Sequence, residues 1–150
     1  MNDPPRELLD AAVTAVPGWV ARSVARVLRA QRIEVTAEVR DATARAGVEA
    51  GDTVRAELGA LLARDVDEQR TNPLAVLRAA TRFPTRVLRA AGAAEVRRDD
   101  FQRERFPDDV YDLAPATWSD LDPALHDPGI TWGAWKAKIV LDRRRAEGKR

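Results

Sequence analysis

Apolar side chains recur at intervals of three and four residues along much of this chain, and this spacing constrains its fold more than any other feature. Such spacing places side chains on one face of an α-helix, whereas a half-buried strand alternates at every second residue. A chain of 150 residues can bury a core without disulfides. The sequence therefore predicts one all-α domain, with an N-terminal helix and a helical hairpin at about 1–70 and a second helical region at about 71–150.

The first helix is predicted at residues 4–16. Asp3 can accept a hydrogen bond at its start, and Pro4 suits the first turn, where a missing N–H costs nothing. Pro17-Gly18 is a pair typical of turns, so the helix is expected to end there.

A long antiparallel hairpin is predicted to follow. Its first helix covers residues 19–46, its second is capped by Asp52, and the turn lies at 47–51. Residues 33–39 also alternate as a β-branched strand would, which leaves a strand as the alternative there. No second strand is evident to pair with it, so the helix is favoured. The apolar faces carry Val20, Val24, Val27, Val35, Val39 and Ala42 on the first helix and Val54, Leu58, Leu61, Leu62 and Val66 on the second.

The next segment is predicted to be helical but interrupted. Asn72-Pro73 resembles a helix start, with a capping residue before a proline. Pro84 disfavours helical geometry at Phe83, so we expect either a kink or two short helices. Gly92 is the expected end of the segment.

Proline-rich turns are predicted in the rest of the C-terminal region. Pro107, Pro115, Pro123 and Pro128 restrict the helices between residues 93 and 130 to short ones. A last helix is expected at residues 131–146. Of the eight aromatic residues, six lie beyond residue 100, so the bulky packing groups are expected in this region.

Charge is arranged in blocks, although the net charge is only +1. Residues 71–98 carry +5, residues 99–127 carry −7 and residues 128–150 carry +5. Four arginines of the first basic block are spaced so that a continuous helix would present them on one side. We call these four the arginine stripe, which consists of Arg78, Arg82, Arg86 and Arg89. A second basic cluster near the C-terminus consists of Arg143, Arg144 and Arg145.

Three explanations compete for these basic residues. They could form a surface that binds the phosphates of a nucleic acid or another polyanion. They could simply be the solvated face of an amphipathic helix, or they could pair with the acidic block at 99–127. The last two are favoured, so any nucleic-acid binding is expected to be weak and without sequence preference.

No catalytic centre is evident. His126 is the only histidine, and no nucleophile or orienting group accompanies it in a recognisable motif. The chain has no cysteine, no clustered metal ligands and no glycine-rich nucleotide loop. We therefore expect no cofactor, no metal and no enzymatic activity.

The sequence thus predicts a non-enzymatic helical protein that binds a second copy of itself or another protein, with weak nucleic-acid binding as the alternative. A hairpin of small apolar side chains buries little surface and would gain by packing against a copy. The lack of a signal-like N-terminus, of a long apolar run and of cysteine favours a cytoplasmic protein without membrane association. The candidate interface residues are Val20, Val24, Val27, Val35, Leu58, Leu61, Leu62, Trp132 and Trp135.

Overall fold

The computed structural model describes residues 3–63, 73–97, 99–105, 107 and 109–148. This part of the chain is 77% helical and contains no strand, which confirms the all-α prediction. A 3-10 turn at Pro123–Leu125 joins the last two helices. The helices are α1 (Pro4–Ala30), α2 (Ala37–Leu62), α3 (Leu74–Ala79), α4 (Arg82–Ala90), α5 (Asp100–Arg105), α6 (Trp118–Leu121) and α7 (His126–Gly148).

Helix α1 starts as predicted but does not end at Pro17-Gly18. Asp3 caps it by accepting a hydrogen bond from the backbone N–H of Arg6 at 3.4 Å. The helix then passes through Pro17 and continues to Ala30. The predicted end was wrong because the apolar face continues on both sides of the proline. Val16, Trp19 and Val20 are all buried, and their packing offsets the lost backbone hydrogen bond.

The hairpin turn lies at residues 31–36, not at 47–51. Arg32 adopts a left-handed backbone conformation with φ 56°, and Ile33 donates from its N–H to the carbonyl of Leu28 at 2.9 Å. This is the usual way in which a helix ends, although the left-handed position is more often glycine. Thr36 then caps α2 by accepting from the N–H of Val39 at 3.2 Å. The single helix predicted over 19–46 is therefore two helices, and 33–36 is a non-helical connection rather than a strand.

The glycines expected at the turn instead lie in the middle of α2. Gly47 is buried, and a Cβ placed on it would lie 3.3 Å from the Cα of Pro17. The glycine thus lets the two helices approach closely at the centre of the hairpin. Asp52, predicted as a cap, is an exposed residue inside α2. The antiparallel hairpin itself is confirmed as the pairing of α1 with α2.

Helices α3 and α4 are the two short helices expected around Pro84, but the break precedes the proline. The regular helical hydrogen-bond pattern is interrupted at Ala80 and Thr81, although both keep right-handed helical backbone angles, and Pro84 lies in the first turn of α4, where its missing N–H costs little. Phe83 is consequently helical. Asn72, the predicted start of this segment, lies outside the described residues, as does Val66.

Gly92 ends α4 as predicted. It has φ 82°, and Ala93 donates from its N–H to the carbonyl of Leu88 at 3.0 Å, which is the same arrangement that ends α1. The side-chain amide of Gln31 joins the two helix ends. It donates to the carbonyl of Ala94 and accepts from its N–H, both at 2.7 Å.

One hydrophobic core includes residues of both predicted regions. Helix α4 packs against α1 and α2, and buried side chains from the C-terminal region complete the core. Fully buried members include Val16, Val20, Leu28, Ala50, Val54, Leu58, Leu77, Leu88 and Leu125. Among the residues that the structure describes, no helix has the length and apolar character needed to cross a membrane.

Helix α7 begins earlier than predicted, at His126 rather than at residue 131. Pro128 falls in its first turn and therefore starts the helix instead of preceding it. A Cβ at Gly129 would lie 2.7 Å from Cδ1 of Trp118, which is closer than two non-bonded carbon atoms can approach each other. Glycine at this position thus allows the start of α7 to pack against Trp118.

Candidate functional site

All four members of the arginine stripe line one cavity of about 650 Å³. Helices α3 and α4 form one wall of this cavity, and the other is supplied by Pro107, Asp109, Val110 and Ala114. The break at Ala80 and Thr81 separates Arg78 from the other three members, which follow one another along α4. The structure therefore brings the four residues of the stripe to one cavity, although they do not share a continuous helix. We call this cavity the arginine cavity.

Three of these arginines form ion pairs with glutamates outside the acidic block. Arg82 lies 3.4 Å from Glu57 and Arg86 lies 3.3 Å from Glu49, both between a guanidinium nitrogen and a carboxylate oxygen of α2. Arg89 approaches Glu95 at 3.4 Å. All of these side chains are largely solvent-exposed, so each pair contributes at most about 1 kcal/mol. The pairing predicted with the acidic block is therefore not what holds these three arginines.

The acidic block makes its own contact with α1. Asp122 lies 3.7 Å from Arg22, which also donates to the carbonyl of Leu121 at 2.9 Å. Arg78 of the stripe donates to the carbonyl of Pro115 at 3.3 Å. The block thus contributes to holding the C-terminal region against the rest of the fold.

Phe83 orients two arginines of the cavity. The guanidinium carbon of Arg82 lies 4.8 Å from the centre of the ring, and that of Arg86 lies 5.5 Å from it. Both distances are typical of a cation–π contact. The aromatic ring, which is not itself part of the cavity lining, therefore restricts the positions of the two guanidinium groups.

Thr85 carries a buried hydroxyl inside the same wall. The residue is only 3% exposed and lines the cavity, and its Oγ1 has no hydrogen-bond partner among the described residues. Thr81, also at the cavity, is 2% exposed. Buried hydroxyls are almost always hydrogen-bonded, so an unpartnered one at a cavity needs an explanation. Nothing in the local sequence pattern distinguishes Thr85 from a solvated threonine, so its place at the cavity was not predicted.

The carboxylate of Asp109 organises the opposite wall. It is 3% exposed and accepts from the backbone N–H groups of Leu113 and Ala114, both at 2.7 Å. Asp112, which lies between Asp109 and Leu113 in the chain, takes a left-handed conformation with φ 57°. The carboxylate thus closes a tight loop, and that loop directs Tyr111 and Leu113 into the core.

Tyr111 connects this loop to the end of α4. Its hydroxyl donates to the carbonyl of Ala93 at 2.8 Å. Burial raises the pKa of the hydroxyl above its ordinary value of 10.0, Arg89 acts in the opposite direction, and Glu95 adds to the increase. The folded state therefore holds this proton more tightly than the unfolded chain does.

We predict that the fold loses stability at alkaline pH, because the buried hydroxyl of Tyr111 must then lose its proton. A raised folded-state pKa means that the contribution of Tyr111 is fully present below pH 10.0 and is lost as pH rises through the folded value. Urea unfolding from pH 8 to 11 measures this, and absorbance near 295 nm follows the single tyrosine directly. Tyr111→Phe is the control, and its stability should fall less steeply above pH 10. Equal slopes for the two proteins would contradict the prediction.

Helix α7 presents a second candidate surface. Trp132 is 8% exposed, but none of the residues 133–148 is buried. Trp135 and Ile139 are half-buried, and Leu141 is 48% exposed. Arg143, Arg144 and Arg145 of the second basic cluster are exposed near its end. The C-terminal two thirds of α7 thus forms an exposed helix with apolar and basic side chains, and we call residues 133–148 the exposed part of α7.

The structure places most candidate interface residues inside the protein itself. Those in its core or buried beside it are Val20, Val24, Val27, Leu58 and Trp132. Leu61, Leu62 and Trp135 are half-buried, and Val35 is 39% exposed. The valine face of α1 packs against the rest of the chain and leaves little for a second copy to contact. Self-association stays a prediction, and it would need the more exposed members of this set.

His126 has a neighbour that the sequence did not reveal. Its Nδ1 lies 3.3 Å from the hydroxyl oxygen of Ser119, across the turn between α6 and α7. Both side chains are solvent-exposed, and no group among the described residues orients the ring from its other nitrogen. The described residues also contain no group of three or more histidine and acidic side chains that could hold a metal ion.

Comparisons with protein-family models, with curated proteins and with solved structures gave no match. The arginine cavity and the exposed part of α7 are therefore the two candidate sites within the described part of the chain.

Proposed function

We propose that this protein is a non-enzymatic interaction protein and that it binds an acidic partner protein through the exposed part of α7. The observation that supports this is a long helix whose last two thirds bury nothing in the chain's own core. Isolated helices of this length are marginal in water, because most helical stability comes from packing an apolar face. A partner that covers this face would supply the missing packing. We propose the cytoplasm as its location, since a chain without cysteine suits a reducing compartment.

The side chains of the exposed part of α7 define the partner's chemistry. Trp135 and Ile139 lie four residues apart, on the same side of the helix, and tryptophan is enriched at the centres of interfaces. Five basic and two acidic residues lie between positions 133 and 148. A second copy would bring the same positive charge against itself, which is unfavourable. A protein with an apolar groove and an acidic rim is the better match.

We predict that this interaction is lost when either component of the helix surface is removed. One variant carries Trp135→Ala and Ile139→Ala, and a second carries Arg143→Gln, Arg144→Gln and Arg145→Gln. Each should lower the recovery of a specific partner by about tenfold or more in a tagged pull-down analysed by mass spectrometry. The purified partner should then bind with an affinity that falls as salt rises, because exposed charges are screened.

Val48→Ala is the matched control for this experiment. Val48 is 62% exposed on α2, so the change removes exposed apolar surface away from α7. The control should recover the partner as the unchanged protein does. Equal recovery by all the variants, with circular dichroism showing intact helix, would contradict binding through α7. Light scattering of the same samples tests the self-association alternative.

Weak nucleic-acid binding is the second candidate function. Arg82, Arg86 and Arg89 lie exposed along one helix, where they could contact a phosphate backbone. Their ion pairs with Glu57, Glu49 and Glu95 compete with such contacts. Binding should therefore be weak and strongly salt-dependent. Fluorescence anisotropy of a labelled DNA duplex across a salt series measures this binding.

A further inference from the structure

The arginine cavity has the dimensions of a small-molecule site. Its volume of about 650 Å³ falls in the range of pockets that hold ligands the size of a cofactor. Ala79, Val110 and Ala114 give it apolar surface beside the four arginines. Such a mixture suits a ligand with one strongly anionic end and a less polar remainder.

The unpartnered hydroxyl of Thr85 is the second, independent indication of a ligand. The residue lines the cavity and is only 3% exposed, and its buried Oγ1 has no hydrogen-bond partner among the described residues. Leaving a hydroxyl buried and unpaired costs stability unless something satisfies it. A ligand oxygen in the cavity would accept this hydrogen bond.

The charges at the cavity favour an anion. Among the residues that the structure describes, the lining contains four arginines and one acidic residue, Asp109, both of whose carboxylate oxygens already accept backbone N–H groups. Planar guanidinium groups bind phosphate oxygens in pairs, and those of Arg82 and Arg86 are oriented by Phe83. Their exposed ion pairs with Glu57 and Glu49 are weak enough to give way to a doubly charged ligand.

We propose that the arginine cavity binds a small phosphate-bearing molecule. Arg82 and Arg86 would hold the phosphate, Thr85 would donate its hydroxyl to a phosphate oxygen, and the remainder of the ligand would lie against Ala79 and Val110. A nucleic acid fits this arrangement less well, because its phosphates belong to an extended backbone, whereas a concave pocket of this volume suits a compact ligand.

The test is calorimetric titration of the full chain with inorganic phosphate and with pyrophosphate at constant ionic strength. Arg82→Gln combined with Arg86→Gln should lower the pyrophosphate affinity by about tenfold or more. Thr85→Val, which keeps the shape and removes the hydroxyl, should lower it by about fivefold and raise the melting temperature by a few degrees. This opposite effect on binding and on stability is not expected of a purely structural threonine.

Two control variants complete the series. Thr85→Ser retains the hydroxyl and should keep the affinity within about twofold. Arg55→Gln removes an exposed arginine, paired with Asp10 at 3.8 Å, that lies outside the cavity. It should leave the affinity unchanged.

Three outcomes would overturn the proposal. The first is that neither phosphate nor pyrophosphate binds. The second is that the affinity is unchanged both in the double variant Arg82→Gln, Arg86→Gln and in Thr85→Val. The third is tight, salt-sensitive binding of a labelled DNA duplex that needs the arginines but not the hydroxyl, which would assign the stripe to nucleic acid. If Thr85→Val fails to fold, the arginine pair alone decides, and unchanged affinity in that variant refutes the site. None of these outcomes depends on α7, so the two proposals fail separately.

Discussion

Replacing Asp109 with alanine is expected to destabilise the fold by about 3 kcal/mol, which is a large part of the stability of a typical domain. The carboxylate accepts from the N–H groups of Leu113 and Ala114 at 2.7 Å, and Leu113 is only 5% exposed. Alanine leaves both donors without an acceptor. Each hydrogen bond to a charged group contributes about 1.5 kcal/mol or more, and water cannot easily replace it at a buried position.

The loss of these two hydrogen bonds should weaken the loop at residues 109–114 more than the hairpin of α1 and α2. This loop directs Tyr111 and Leu113 into the core, and Asp109, Val110 and Ala114 line the arginine cavity. Hydrogen exchange should therefore report weakened protection at the loop in a variant that keeps its helical circular dichroism. Urea unfolding gives the overall change in free energy.

Asp112→Asn is the matched control for Asp109→Ala. It removes a carboxylate from the same loop, but Asp112 is exposed, and asparagine tolerates its positive φ. Its effect should stay within about 0.5 kcal/mol. If the two variants lost equal stability, the cause would be charge rather than the two buried hydrogen bonds.

Replacing Gly47 with leucine is expected to cost about 3 kcal/mol by separating α1 from α2. Even a Cβ at this position would lie 3.3 Å from the Cα of Pro17. The neighbour is backbone inside a helix, so it cannot rotate away as a flexible side chain would. Overpacking of this kind typically costs up to about 3 kcal/mol, because the helices must shift together with every contact between them.

Gly51 provides a control in the same helix. A Cβ there would meet no atom within 4 Å, so Gly51→Ala adds no clash. Alanine is favoured over glycine inside a helix, and the change should stabilise the fold by about 1 kcal/mol. Thermal and urea unfolding of both variants decide the matter. A stabilising effect of Gly47→Leu would show that the close approach at Pro17 does not hold the hairpin together.

Part of the candidate site could be predicted from the sequence. The spacing of Arg78, Arg82, Arg86 and Arg89 is a local property, and a helix or two short helices in the same direction keep such residues on one side. Glu49 and Glu57 reach these arginines from α2, and Asp109 faces them from a distant loop. Contacts between segments far apart in the chain depend on how the helices pack, so no local pattern reveals them.

The sequence by itself determined that the chain is helical, where α1 begins and where α4 ends, and which arginines lie together. These properties depend on side chains within one or two turns of each other, where helical spacing, Asp3 and Gly92 act directly. Only the tertiary structure decided where the hairpin turns. Glycine is common both in turns and where two helices pack closely, so the sequence could not distinguish these two roles. Gly47 was therefore predicted in a turn, although it lies inside α2 and packs against Pro17. Arg32, a residue without any turn signal, accepts the left-handed conformation because the paired helices and the Gln31–Ala94 hydrogen bonds hold it there.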